Sequence, residues 1–129
     1  MGLTERVIFD TLRFQISRAK KLQARFYALP SGRKPVRGWI LELGKGDRVV
    51  VGKDIQKVEF GWPIGMPSCG PLGSGLYEVR SDFSDGRIGR MMFCIVKNEM
   101  VLLHGFVKKS QKAPAKDIEL ARSRQKEIM

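Results

Sequence analysis

Apolar and polar positions along these 129 residues change their spacing from block to block, and each spacing predicts an element. Gln23–Leu29 (QARFYAL) is expected to be a strand, closed by the turn Pro30-Ser31-Gly32. Lys34–Leu43 places Val36, Trp39, Ile40 and Leu43 at helical intervals. Pro35 falls in the first turn of that helix, where its missing N–H does no harm. Gly44–Gly46 breaks the pattern, and Asp47 then suits the N-cap of a second helix reaching Phe60. Val50, Val51, Ile55 and Val58 would be its buried face.

Gly61–Gly75 holds three Pro and five Gly in fifteen residues, so a loop is expected there. Loops of that length in a small domain are usually functional or mobile. Three strands follow, at Leu76–Phe83, Arg87–Val96 and Met100–Val107. Asp85-Gly86 is the hairpin turn between the first two, and Lys97-Asn98 or Asn98-Glu99 turns between the next two. Ala115–Ile128, after Pro114, is predicted as a terminal helix that packs through Ile118 and Ala121. Thr4–Lys21 fits either an amphipathic helix, with Val7, Ile8, Leu12 and Ile16 near one stripe, or a weakly alternating strand. No internal repeat interrupts this order.

A chain of this size makes one domain. Its apolar fraction of 43% and charged fraction of 29% are ordinary for a globular protein. Charge balance changes the picture. There are 24 Lys and Arg against 13 Asp and Glu, a net charge of +11, unevenly spread. Met1–Lys34 has eight basic and two acidic residues, Pro35–His104 nine and eight, and Gly105–Met129 seven and three. A near-neutral middle with basic ends points to a partner rich in phosphate or carboxylate; a solvated, solubilising face is the plainer alternative. Cys69 lies in the Pro/Gly-rich stretch and Cys94 in the apolar run Met91–Val96. With no signal peptide and no long hydrophobic stretch, reduced thiols and a cytoplasmic location are expected. One His and two scattered Cys do not make a structural zinc site.

Two strings concentrate the candidate chemistry. GLYEVR (Gly75–Arg80) alternates, with Tyr77 and Val79 on one face and Glu78 and Arg80 on the other. LLHGFVKKSQKAP (Leu102–Pro114) is an apolar strand that opens into Lys108-Lys109. Cations delivered to strand ends, without a phosphate-binding glycine loop, paired carboxylates or a nucleophile elbow, suggest a polyanion site.

This block resembles the phage-derived, HigB-like branch of the RelE/ParE toxin superfamily, and the likeness extends back to about Gln23. It implies an α+β, RelE-like fold: a mainly antiparallel sheet with two helices packed on one face and a C-terminal helix. Residues 1–22 would be an extension, or upstream sequence behind a misassigned start, and residues 23–129 the toxin domain. The activity implied is that of a type II toxin, an endoribonuclease cutting messenger RNA at the ribosome by attack of the 2′-hydroxyl. No metal or cofactor is implied. The implied partners are messenger RNA, the ribosome and a helix-turn-helix antitoxin, with operator DNA reached only through the antitoxin and no membrane. A ParE-like toxin that inhibits DNA gyrase, or an inactive member that only binds RNA or antitoxin, remains open on the same fold.

The resemblance also assigns residues. Arg90, in RIGRMMF (Arg87–Phe93), would contact the scissile phosphate, or else pair across the hairpin with Glu78 or Asp82. Lys108 and Lys109 match the basic pair ending the last strand, and only one of two successive residues faces the site. Arg80 is characteristic of this branch, but a two-residue Asp85-Gly86 loop would set Arg90 opposite Ser81 and turn Arg80 away, unless a bulge intervenes. Arg87 and Lys112 are candidate RNA contacts. His104, the single His, has the one unperturbed side-chain pKa near neutrality, about 6.5, which suits a general acid or base; a hydrogen-bonded core His is the alternative. Two departures stand out: Pro71 where this branch often has Lys, and no Tyr after Lys112.

Overall fold

The computed structural model describes residues 20–65, 69–108 and 114–129. Among these the elements run β1 (Gln23–Phe26), α1 (Pro35–Glu42), α2 (Lys45–Gly61), β2 (Cys69–Gly73), β3 (Leu76–Asp82), β4 (Ile88–Val96), β5 (Glu99–Lys108) and α3 (Ala115–Ile128). They build one five-stranded sheet in the order β1-β5-β4-β3-β2. Strands β2 to β5 pair antiparallel with their neighbours, and β1 lies parallel to β5. The fold is α+β with a mixed sheet, compatible with the layout expected. The helix-or-strand question at Thr4–Lys21 falls almost wholly outside the described residues.

Strand geometry explains the two layers. Successive side chains point to opposite faces. Met91 and Phe93 of β4 therefore join Val79, Met100 and Leu102 against Val36 of α1 and Val51 and Val58 of α2. Met92 and Cys94 join Leu76, Val101 and Leu103 on the other side, against Ala121 of α3. Being covered on both faces, β4 reads as a continuous apolar run rather than an alternating one. Among the described residues, no helix is long and apolar enough to cross a membrane.

Three expectations need correction. Asp47 is not an N-cap: α2 starts at Lys45 with Gly44 as cap, and Asp47 sits in its first turn. Three residues past the cap, its carboxylate instead accepts from Arg87 at 2.8 Å. The stretch Gly61–Gly75 is not all loop, because Cys69–Gly73 pairs with β3 as an edge strand. An edge needs hydrogen bonds on one side only, so Pro71 is tolerated there. β1 stops at Phe26 rather than Leu29. The carboxylate of Glu59 accepts from the Ala24 N–H at 2.7 Å and so covers part of that strand's open edge.

Helix α3 spans the range predicted and is clasped to the sheet. The Arg122 guanidinium donates to the carbonyls of Leu72 (2.7 Å) and Gly73 (3.0 Å), and the Gln125 amide donates to Ser74 O at 3.0 Å. Arg124 donates to Leu103 O at 2.7 Å, and the Tyr27 hydroxyl donates to Glu127. That bond, with burial, pushes the Tyr27 hydroxyl above its usual range. Part of the C-terminal positive charge thus holds a helix in place instead of facing a partner. Both cysteines are free and buried; burial, with the charge of Glu78, pushes the Cys69 thiol up to about 11.

Gly105 in β5 lies directly beneath the Trp39 ring of α1. A Cβ built there would stand 2.4 Å from one ring carbon and 2.8 Å from two others. Gly105→Ala is accordingly expected to cost about 1–3 kcal/mol through overpacking. Thermal melts of Gly105→Ala alone and with Trp39→Leu check this, since the smaller side chain should relieve most of the loss.

Candidate active site

The β3–β4 turn decides which side chains meet. The Phe83 N–H donates to Arg87 O at 3.0 Å and the Gly86 N–H to Phe83 O at 3.1 Å. Gly86 adopts φ +85°, which glycine takes without steric cost, and Asp85 accepts from the Arg87 N–H at 3.1 Å. Three residues, Ser84 to Gly86, therefore form the loop, not two. A one-residue change in loop length changes which side chains share a face. Arg80 stands directly opposite Arg90, with no bulge needed between Ser81 and Gly89. The expected pairing of Arg90 with Ser81 is corrected.

Strand β5 supplies the rest. Met92 pairs with His104 and Phe93 with Leu102, leaving Leu103 as an extra residue in β5. Beyond that bulge Phe106 pairs with Arg90, and Lys108 with Ile88. His104, Phe106 and Lys108 consequently share the α3 side of the sheet with Glu78, Arg80 and Arg90. Of the two lysines, Lys108 takes the arginine face; Lys109 and Lys112 lie outside the described residues.

Arg90 has the least freedom of the group. It is 1% exposed, and its Nη1 lies 3.1 Å from each carboxylate oxygen of Glu78, a diagonal neighbour across the hairpin. The plainer alternative, a cross-hairpin salt bridge, is therefore the arrangement found. Glu78 is itself buried, so each charge depends on the other in a medium that solvates neither. Arg80 is partly exposed, and its Nε is buried with no hydrogen-bond partner among the described residues.

His104 is held from two directions. Its Nε2 lies 2.7 Å from Asp117 Oδ1 in the first turn of α3. Its ring stacks on Phe106, with centroids 5.4 Å apart and planes 23° from parallel. The His104 and Asp117 side chains are 15% and 14% exposed, so both are sheltered without being sealed. Arg87 does not join them: it pairs with Asp47 and Asp85 and lies over the Phe83 ring, on the side of α1 and α2. The Arg87 N–H and guanidinium hold the Asp85 carboxyl below its usual range. Arg87, a candidate RNA contact, is thus placed on the opposite face of the sheet from Arg80 and Arg90.

Asp117 and Phe106 were not picked out from the sequence. Asp117 carries no motif, and only the return of α3 over the sheet brings it to His104. Phe106 looks like any apolar strand residue until the bulge assigns its face. Among the described residues, no three His, Cys, Asp or Glu side chains gather as they would to hold a metal ion.

Residues 38–126 match the family described as phage derived protein Gp49-like (DUF891). The chain belongs to the Gp49-like family. That family is toxin-like and falls within the RelE superfamily. The matched span of this Gp49-like protein runs from α1 almost to the end of α3 and includes every residue of the α3-side cluster. Among curated proteins, none matches it.

Proposed function

We propose that this protein is the toxin of a toxin–antitoxin pair, an endoribonuclease that cuts messenger RNA on the ribosome through its own 2′-hydroxyl. The observation that carries the reading is the shared face of Arg80, His104, Phe106 and Lys108, anchored by the Arg90–Glu78 pair. Cleavage of this kind needs a proton acceptor and positive charge at the phosphorane. His104 is the acceptor. Arg80, partly exposed on that face, holds the phosphate, and Lys108 adds charge near the leaving oxygen. Phe106 offers a face on which an unstacked base can lie. In this reading Arg90 supports the face: it pairs with Glu78 and stands beside Arg80 on the neighbouring strand. The partner that restrains the toxin is a helix-turn-helix antitoxin, carried over from the resemblance.

The test is induction in a bacterial host beside Arg80→Ala, with messenger 5′ ends mapped. New ends inside translated reading frames are expected, and the variant should lose about a hundredfold in cleavage while folding normally, as removal of one transition-state donor does. Growth arrest with intact messenger would favour gyrase inhibition instead. No arrest from well-expressed protein would favour an inactive binder.

A further inference from the structure

The bulge in β5 and the hydrogen bond from α3 act on the same ring, and together they specify which nitrogen can work. Without the extra residue at Leu103, the alternation of β5 would send His104 to the side covered by α1 and α2. The bulge turns it to the arginine face, and bulges commonly re-aim a side chain in this way. Asp117 then meets it from a different element. An ionised carboxylate only accepts hydrogen bonds, so the 2.7 Å contact requires Nε2 to carry the proton. In neutral His104 the lone pair is then on Nδ1. The Phe106 stack limits tilting of the ring about that bond.

We infer that Asp117 is the positioning residue for His104 and that Nδ1 is the atom that accepts the 2′-hydroxyl proton. This rests on the nuclease reading. In the step, the 2′-oxygen forms its bond to phosphorus as its proton passes to Nδ1. The bond from phosphorus to the 5′-oxygen breaks, and that oxygen takes a proton from water. Asp117 touches no reacting atom; it acts through the tautomer and orientation of the ring, and it steadies the imidazolium that forms.

The chain holds one histidine, so its imidazole nitrogen signals are unambiguous in the full-length labelled protein. In mildly alkaline buffer the wild type should show the Nε2–H tautomer. Asp117→Asn, whose amide both donates and accepts, should admit the Nδ1–H form. In cleavage of messenger on purified ribosomes, Asp117→Asn should lower kcat about tenfold or more with KM within about twofold, and Asp117→Glu, which keeps the carboxylate, should recover part of it. The Glu variant also serves if the Asn variant fails to fold. A wild type in the Nδ1–H form, or an Asn variant with undiminished kcat, would overturn the inference alone. A wild type that never cleaves would sink the nuclease reading and the proton role with it, and the tautomer would still show whether the pairing exists.

Discussion

Arg90→Ala should lower the stability of the fold by about 3–5 kcal/mol, the cost of leaving one member of a buried ion pair alone. Arg90 is 1% exposed and Glu78 7% exposed, so truncation strands a carboxylate that water reaches poorly. Folded domains have only about 5–15 kcal/mol to lose, so the melting temperature should fall by roughly 10–20 °C. Urea or thermal melts of Arg90→Ala, Glu78→Ala and the double replacement Arg90→Met with Glu78→Leu check this. The double variant, which strands no charge, should be more stable than either single one. A single variant that melts with the wild type would show that the pair is not needed for folding. Arg90→Ala is therefore a poor probe of catalysis, since lost activity would follow from lost structure. Arg80, across the strand and partly exposed, is the cleaner choice.

Phe93→Ala should cost a similar amount, about 3–5 kcal/mol, by leaving a cavity in the layer beneath α2. Phe93 is fully buried on β4; its ring stacks on Tyr77, with centroids 5.5 Å apart, and meets the edge of Trp62 at 5.8 Å. Trp62 also contacts Tyr77 edge-on at 4.9 Å, so the three rings form one unit beside the end of α2. Such ring pairs contribute about 0.5–1.5 kcal/mol beyond their buried area. Phe93→Leu, which keeps most of the volume, should lose markedly less than Phe93→Ala. Equal losses for the two would mean that ring geometry, not filled volume, dominates there.

How legible each feature was depends on how local its cause is. Helix α3 was predicted end to end because Pro114 starts it and Ile118 and Ala121 mark its buried stripe within the same segment. β3 and β4 were within a residue of their ends for a similar reason. β2 was missed because its glycines and Pro71 describe a loop locally, and only pairing with Tyr77–Val79 makes it a strand. The Arg80–Arg90 register was not readable, since it turns on a three-residue loop set by the Phe83–Arg87 hydrogen bond. The bulge at Leu103 leaves no mark in a run of apolar residues, yet it decides the face of His104, Phe106 and Lys108. Asp117 depended on tertiary return of the chain, thirteen residues from its partner. Arg90 shows the converse. The resemblance offered it as a phosphate contact, with a cross-hairpin pair to Glu78 or Asp82 as the alternative, and the pair with Glu78 is the contact found.

The most direct measurement uses purified bacterial ribosomes carrying a defined messenger in the decoding site, either all-ribose or with a single 2′-deoxy sugar before the cut. Wild-type protein should cleave the ribose messenger, leave the 2′-deoxy one intact and lose about a hundredfold in rate as Arg80→Ala. Cleavage of the 2′-deoxy messenger, or no cleavage of either by folded protein, would contradict the α3-side face as a 2′-hydroxyl-dependent nuclease site.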